Sequence, residues 1–323
     1  MKSSMSFRIL GTGSACPACV KTNEDLSSFL DTDDEWISSR TGTKSRHVST
    51  TETLTEIAAT AAKQALEDAN IDAKDLDLII CATIQGDYIT PSLACMVQKE
   101  IGAQCPAFDI NAACPGFIYA LDIALGYFAR NKSSKILIVG TEMMSKHVDW
   151  QDRATCVLFG DGAGAVVLGE GDSLLAIKTT AKGELDILNI HGKNGNSPFS
   201  QHEKQDEFVH MNGQEVYKFA VISMCRDLKD VIAAAGLTEE EIDFVLPHQA
   251  NIKIIETAMN RLKIPKERYY NNIERFGNTS AASIPILLDE LNRSKRLQNG
   301  QNIAMVSFGG GLTTGAVIIK WQK

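Results

Sequence analysis

The 323-residue chain has no apolar run near the roughly 20 residues that a membrane-spanning helix needs. Its first residues, MKSSMSFRIL, are too short and polar a stretch for a secretory signal. Basic residues are fewer than acidic ones: the chain has 32 Lys and Arg and 40 Asp and Glu, which gives a net charge of −8. A nucleic-acid-binding protein usually carries a dominant basic face. We therefore expect a cytoplasmic protein that binds neither membranes nor nucleic acid.

Cysteine is too scarce for a disulfide scaffold, and a chain of this length can bury its own core. Most of the eight cysteines lie in apolar runs, such as Cys81 in LIICATI and Cys156 in ATCVLFG. These we interpret as buried, reduced thiols. Cys16 and Cys19 have the spacing of half a zinc site, but the sequence has no second pair to complete it, so we predict no metal site.

The chain contains two similar helix–strand units. Residues 53–69 and 217–235 both have the apolar spacing of a helix, and a short apolar run follows each. ANIDAKDLDLII from Ala69 aligns with AGLTEEEIDFVL from Ala235, 166 positions later, and the segments KILIVG and NIAMVS lie 167 positions apart. A shared offset indicates a duplication, and so long a period excludes a solenoid. We predict two α/β halves related by a pseudo-twofold axis.

One cysteine has the position of a nucleophile. In DINAACPGF an apolar strand ends, small residues follow, and a helix begins near Cys114. The positive end of a helix dipole stabilises a thiolate and lowers the pKa of the thiol. We therefore predict that Cys114 is reactive, with a lowered pKa.

Three further motifs contain candidate site residues. His248 in FVLPHQAN follows a buried strand, at the end where α/β proteins place their sites. Asn278 lies in a loop of small residues, GNTSAAS, and the FGGGLTTG segment can turn backbone N–H groups toward a ligand. Taken singly, a lone histidine and a turn asparagine are more often structural.

Together these motifs resemble the β-ketoacyl-acyl carrier protein synthase III family of the thiolase superfamily. The similarity runs nearly end to end and includes DTDDEWISSRTG and GDGAGAVVLG. It implies a duplicated, five-layer αβαβα thiolase-like fold, with the cysteine in residues 1–171 and the histidine and asparagine in residues 172–323. It also implies a homodimer that starts type II fatty-acid synthesis. Acyl-CoA and malonyl-acyl carrier protein would give 3-oxoacyl-acyl carrier protein, CoA and CO2, with CoA thioesters as substrates and no cofactor.

The resemblance also implies roles for individual residues. Cys114 would carry the acyl group, and His248 with Asn278 would stabilise the enolate left by decarboxylation. The N–H groups of Cys114 and Gly310 would form an oxyanion hole beside Phe308. The implied CoA-binding residues are Trp36 and Arg153 at the adenine, Thr32 and Arg40 beside them, and Lys44 at the phosphates. The implied carrier-protein patch consists of Lys218, Lys253 and Arg261.

Two other functions stay open at this point. The same fold could catalyse acyl transfer to a small nucleophile or a secondary-metabolite condensation. A non-catalytic CoA-binding thiol sensor is the third possibility, although a sensor needs only the thiol and not His248 and Asn278. Thr90 falls near the implied acyl pocket, and the length of the starter chain is open.

Overall fold

The computed structural model describes residues 6–130, 134–192, 194–195, 197–199, 201 and 203–323. The strands are β1 (Ser6–Ala15), β2 (Val20–Thr22), β3 (Ser45–His47), β4 (Leu78–Ala82), β5 (Ala107–Ile110), β6 (Lys135–Met143), β7 (Asp161–Gly171), β8 (Leu174–Glu184), β9 (Leu188–Ile190), β10 (Val209–Met211), β11 (Phe244–Pro247), β12 (Asn302–Gly309) and β13 (Gly311–Lys320). The α-helices are α1 (Asn23–Ser27), α2 (Asp34–Thr41), α3 (Leu54–Ala69), α4 (Leu93–Ile101), α5 (Gly116–Ala129), α6 (Gly213–Ala234), α7 (Ile252–Arg261), α8 (Ile273–Phe276) and α9 (Ser283–Arg293).

The two predicted helices are present. Thr53 caps α3 in a reciprocal capping box with Glu56, and Asn70 ends the helix in the left-handed conformation. Helix α6 begins at Gly213, four residues before the predicted start, because the Asn212 side chain accepts the Glu215 N–H and caps the helix there. The apolar spacing located the buried face of α6 but not its polar first turn.

Both main sheets follow one plan, which confirms the predicted duplication. The first has the strand order β1-β7-β6-β4-β5 and the second β11-β12-β13-β8. In each, one parallel pair (β4 with β6, β11 with β12) is followed by two antiparallel neighbours. Strand β5 pairs with β4, and its counterpart in the second half is a single bridge between Val245 and Tyr269. The division into residues 1–171 and 172–323 falls between β7 and β8, and as a statement about folding units it stays a prediction.

The helices form three layers around the two sheets. Helices α3 and α4 share a core with one face of the first sheet, and α6 and α7 share one with a face of the second. Between the sheets, α5 and α9 are packed in a core that takes side chains from both, including Phe117, Leu287, Ile138 and Met305. The order αβαβα follows. No helix in the described ranges is long and apolar enough to cross a membrane.

A glycine in the first sheet lets the second half approach closely. A Cβ atom at Gly140 in β6 would lie 2.4 Å from the carbonyl oxygen of Ala281, in the 3-10 turn Ser280–Ala282 before α9. Likewise, a Cβ atom at Gly164 in β7 would lie 2.7 Å from backbone atoms of Pro285 and Ile286. Real Cβ atoms do not approach backbone so closely, so this contact between the halves requires glycine.

We predict that Gly140→Ala lowers the free energy of unfolding by about 1–3 kcal/mol, because the methyl group must displace the Ala281 turn. Urea denaturation measures the change. Gly126→Ala in α5 is the matched control, since a Cβ there meets nothing within 4 Å. The control should not lose stability, because alanine is about 1 kcal/mol more favourable than glycine inside a helix. Equal stabilities of the Gly140→Ala variant and the wild type would contradict the prediction.

Candidate active site

A cavity of ≈ 740 Å³ lies where the two halves meet. Its lining contains all five predicted residues of the reaction centre, which are Cys114, His248, Asn278, Phe308 and Gly310. They come from four separate loops or strand ends. The structure therefore brings together side chains and backbone that are up to 196 positions apart in the sequence.

Cys114 lies in the tight connection between β5 and α5. Ala113 has a φ of +51°, and its carbonyl accepts the Gly116 N–H at 2.9 Å. Pro115 caps the helix, which begins at Gly116, so Cys114 precedes the first helical residue by two positions. The Cys114 Sγ lies 3.4 Å from the hydroxyl of Ser280, which donates a hydrogen bond to it.

The predicted lowering of the thiol pKa is wrong. Burial raises the pKa of Cys114 from 9.0 to about 11, and the nearby Glu142 carboxyl raises it further. The Ser280 hydroxyl and a backbone N–H lower it but do not offset the burial. Desolvation thus outweighs these hydrogen bonds, and the side chain of Cys114 is a thiol at neutral pH.

His248 follows β11 and is 1% exposed. Its N–H donates to the Val306 carbonyl at 2.8 Å, its Nδ1 lies 2.7 Å from the Ser283 hydroxyl, and its ring meets Phe308 edge-on at 5.4 Å between centroids. Burial lowers the pKa of His248 to about 3. The imidazole is therefore neutral at physiological pH, with one nitrogen as donor and the other as acceptor.

Asn278 is held on both sides by backbone. Its N–H donates to the Leu158 carbonyl at 2.8 Å, and its own carbonyl accepts the Gly160 N–H at 3.1 Å. The side-chain oxygen accepts the Ser280 N–H at 2.9 Å. Because that oxygen is engaged, the NH2 group is the part of the amide that remains to serve a ligand.

The glycine-rich segment packs against the cysteine loop. A Cβ at Gly309 would lie 2.8 Å from the Cys114 nitrogen, so only glycine permits this approach. The Thr313 hydroxyl is 2.9 Å from the Ala112 carbonyl and 2.8 Å from the Gly310 carbonyl. These contacts join the turn between β12 and β13 to the Cys114 loop and set the backbone around the thiol.

Two of the predicted CoA-binding residues, Arg40 and Arg153, lie against the Trp36 ring. The guanidinium carbons of Arg40 and Arg153 lie 4.5 and 5.1 Å from the indole centroid. Trp36 and Arg40 line the cavity, whereas Arg153 and Thr32 are outside its lining, and Arg153 pairs with Asp31 at 3.4 Å. Arg153 contacts the indole directly, so it must swing away before a flat base can stack between them. Elsewhere, Lys44 pairs with Glu274 at 2.7 Å.

The three predicted docking residues are exposed on α6 and α7. Lys218 follows Tyr217, which lines the cavity, and Lys253 precedes Ile254, which also lines it. Arg261 is the last residue of α7. The basic surface of Lys218, Lys253 and Arg261 therefore begins at the cavity wall and extends along α7.

Three polar residues of the site were missed by the sequence analysis. Ser280 and Ser283 contact Cys114 and His248, and the serines of GNTSAAS were the signal that could have indicated them. Glu142 is 1% exposed, and its carboxylate accepts the Ile84 N–H at 2.8 Å. Burial raises the pKa of Glu142 to about 8. Its sequence context, IVGTEMM, is only that of a strand end.

Family models match two segments of the chain. Residues 108–183 match 3-oxoacyl-[acyl-carrier-protein] synthase III, and residues 232–321 match the C-terminal model of the same family. A beta-ketoacyl-[acyl-carrier-protein] synthase III of Clostridium acetobutylicum is 47% identical over 98% of this chain and 99% of its own. The chain belongs to the β-ketoacyl-acyl carrier protein synthase III family.

Solved structures of the family confirm the predicted fold. The Aquifex aeolicus 3-oxoacyl-[acyl-carrier-protein] synthase III has a TM-score of 0.91 at 45% identity, over 98% of this chain and all of that one. The Pseudomonas aeruginosa synthase III has a TM-score of 0.92 at 35% identity, over 98% of this chain and 99% of that one. The predicted duplicated thiolase-like architecture is therefore correct along the chain.

We predict that alkylation of Cys114 by iodoacetamide speeds up about tenfold per pH unit above pH 8, because the thiol pKa is about 11. No step is expected near pH 6.5, since His248 does not titrate there. Peptide masses after timed quenching measure the rate at Cys114 against the other seven cysteines.

Two variants should move that rate in opposite directions. Ser280→Ala removes the hydroxyl that stabilises the thiolate, so alkylation at pH 9 should slow. Glu142→Gln removes a carboxylate that is charged above its pKa of about 8, so alkylation at pH 9 should accelerate. A plateau of the wild-type rate below pH 8 would contradict the raised pKa.

Proposed function

We propose that this protein is the initiating condensing enzyme of type II fatty-acid synthesis. It joins a short acyl-CoA and malonyl-acyl carrier protein into 3-oxoacyl-acyl carrier protein and releases CoA and CO2. The observation that carries the proposal is the meeting of Cys114, His248 and Asn278 in one cavity of a chain that belongs to this family. The reaction needs CoA thioesters and no further cofactor.

In the first half-reaction Cys114 attacks the thioester carbonyl of acyl-CoA. A bond forms between Sγ and the carbonyl carbon, the bond to the CoA sulfur breaks, and the thiol proton leaves with CoA. The negative oxygen that develops is held by the N–H groups of Cys114 and Gly310. The close packing of Gly309 on the Cys114 nitrogen supports this pairing of backbone groups. The Ser280 hydroxyl stabilises the sulfur anion during the attack.

In the second half-reaction the malonyl group loses CO2. The electron pair of the broken carbon–carbon bond passes into an enolate, whose oxygen accepts hydrogen bonds from His248 Nε2 and the Asn278 amide. Neutral donors suit this step. With a pKa of about 3, the buried imidazole of His248 stays neutral during the reaction and keeps its one N–H as a donor. The enolate carbon then attacks the acyl carbonyl, the bond between that carbon and Sγ breaks, and the Cys114 thiolate takes a proton from solvent to become a thiol again. Phe308 closes one side of His248.

The two substrates approach over different surfaces. CoA lies by Trp36, Arg40, Thr32 and Arg153, and once Arg153 has moved aside the adenine stacks on the indole. The acidic carrier protein docks on Lys218, Lys253 and Arg261 at the cavity wall, where opposite charges attract it to an otherwise acidic enzyme.

The protein acts as a cytoplasmic homodimer. Strand β5 is an edge of the first sheet, and the large apolar side chains of Tyr88 and Ile89 are 57% and 78% exposed. An unpaired strand edge and exposed apolar side chains favour pairing with a second copy. Thr90, next to these residues, then borders the acyl pocket of the partner subunit.

We predict that Cys114→Ala abolishes formation of the acyl-enzyme. His248→Ala still becomes acylated by acyl-CoA, but its rate of CO2 release from malonyl-acyl carrier protein falls by about 10²–10³. Intact-protein mass spectrometry measures acylation, and trapping of CO2 measures decarboxylation. Undiminished acylation of the Cys114→Ala protein would overturn the proposal.

We predict that the double change Lys253→Glu and Arg261→Glu raises the KM for malonyl-acyl carrier protein by about tenfold, because it reverses the attractive charge. Acylation by acyl-CoA stays at the wild-type rate. The double change Lys63→Glu and Lys74→Glu, at two exposed lysines outside the cavity lining, is the matched control for net charge. An equal rise of the KM in the control variant would place the docking surface elsewhere.

A further inference from the structure

His248 has a hydroxyl partner that the family resemblance did not assign. Ser283 is the first residue of α9 and 2% exposed, and its Oγ lies 2.7 Å from His248 Nδ1. A neutral imidazole carries one proton, and the nitrogen that holds it is set by the partner of the other nitrogen. The direction of the Ser283–His248 hydrogen bond therefore decides which nitrogen of the ring can donate.

The surroundings of Ser283 indicate that direction. The Gln249 N–H, which can only donate, lies 3.5 Å from the Ser283 Oγ. Among the described residues, the sole hydrogen-bond acceptor recorded for the Ser283 proton is His248 Nδ1. If Nδ1 donated instead, the buried hydroxyl would have two donors aimed at it and its own proton would lack an acceptor, which is costly for a buried group.

We propose that Ser283 is a positioning residue whose hydroxyl donates to Nδ1 of His248 and keeps the imidazole proton on Nε2. Nε2–H is then the donor that meets the enolate oxygen. The inference rests on the proposed function for its catalytic meaning, because the enolate belongs to that reaction.

A consequence separates the two half-reactions. With its proton on Nε2, His248 has no free lone pair to offer the cavity, so it cannot remove the proton of the Cys114 thiol. Acylation then depends on Cys114 and its Ser280 partner, whereas decarboxylation depends on His248 and its Ser283 partner. Two serines three positions apart thus each serve a different step.

The deciding experiment is NMR on wild-type protein with 15N-labelled histidine, without substrate. Signals of His248 are identified by their loss in His248→Ala. Between pH 6 and 9 we expect Nε2 to have the shift of a protonated ring nitrogen and Nδ1 that of an unprotonated one. A protonated Nδ1 in the wild type would overturn the inference, whatever the variants do.

Kinetics of Ser283→Ala test the functional part. CO2 release from malonyl-acyl carrier protein should fall by about tenfold to a hundredfold, because Nδ1 loses its buried partner and the ring can exchange between tautomers. Acylation of Cys114 should keep the wild-type rate. Ser283→Thr returns the hydroxyl and should restore both the NMR signature and the decarboxylation. Ser294→Ala, an exposed serine at the other end of the same helix, is the matched control.

Failure of this inference is distinguishable from failure of the proposed function. If Ser283→Ala lowers both half-reactions equally, or neither, Ser283 does not act through the tautomer. If the wild-type protein neither acylates nor releases CO2, the proposed function is wrong, while the NMR result still answers the question of which nitrogen holds the proton.

Discussion

The contact between the 3-10 turn at Ser280–Ala282 and the first sheet is the constraint on which the site depends. The Ala281 carbonyl approaches Gly140 more closely than any side chain at that position would permit. Because of this approach, Asn278 and Ser280 lie next to the Cys114 loop. Helices α5 and α9 begin at this junction from opposite halves of the chain. A duplicated fold thereby places two equivalent helix starts close together, one beside Cys114 and the other beginning at Ser283.

Burial at this junction determines the protonation of the titratable groups that lie there. It holds Cys114 as a thiol, keeps His248 neutral and raises the pKa of Glu142 to about 8. The same burial makes hydrogen bonds decisive, since an unpaired polar atom in such a site is costly. The hydroxyl groups of Ser280 and Ser283 supply such partners to Cys114 and His248.

On the outer surface, exposed charges are more important than burial. Around Trp36 two guanidinium groups already stack on the indole, and along α6 and α7 lysine and arginine form a basic face on a chain of net charge −8. Exposed charges of this kind contribute little to stability, whereas opposite charges on two surfaces raise the rate at which the surfaces associate. The cavity connects the two regions, because Trp36 and the neighbours of Lys218 and Lys253 all line it.

Local patterns in the sequence were enough to predict α3, the strand β4 after it, the duplication, and the identity of Cys114, His248 and Asn278 as site candidates. These features depend on apolar spacing, on motifs within a few residues of one another and, for the duplication, on two similar segments that recur at one offset. The pKa of Cys114, the carboxyl of Glu142 and the serine partners could not be obtained in this way. They depend on desolvation and on contacts between residues up to 166 positions apart, as for Cys114 and Ser280. Such distances in the sequence become short distances in space only when the two sheets close around α5 and α9.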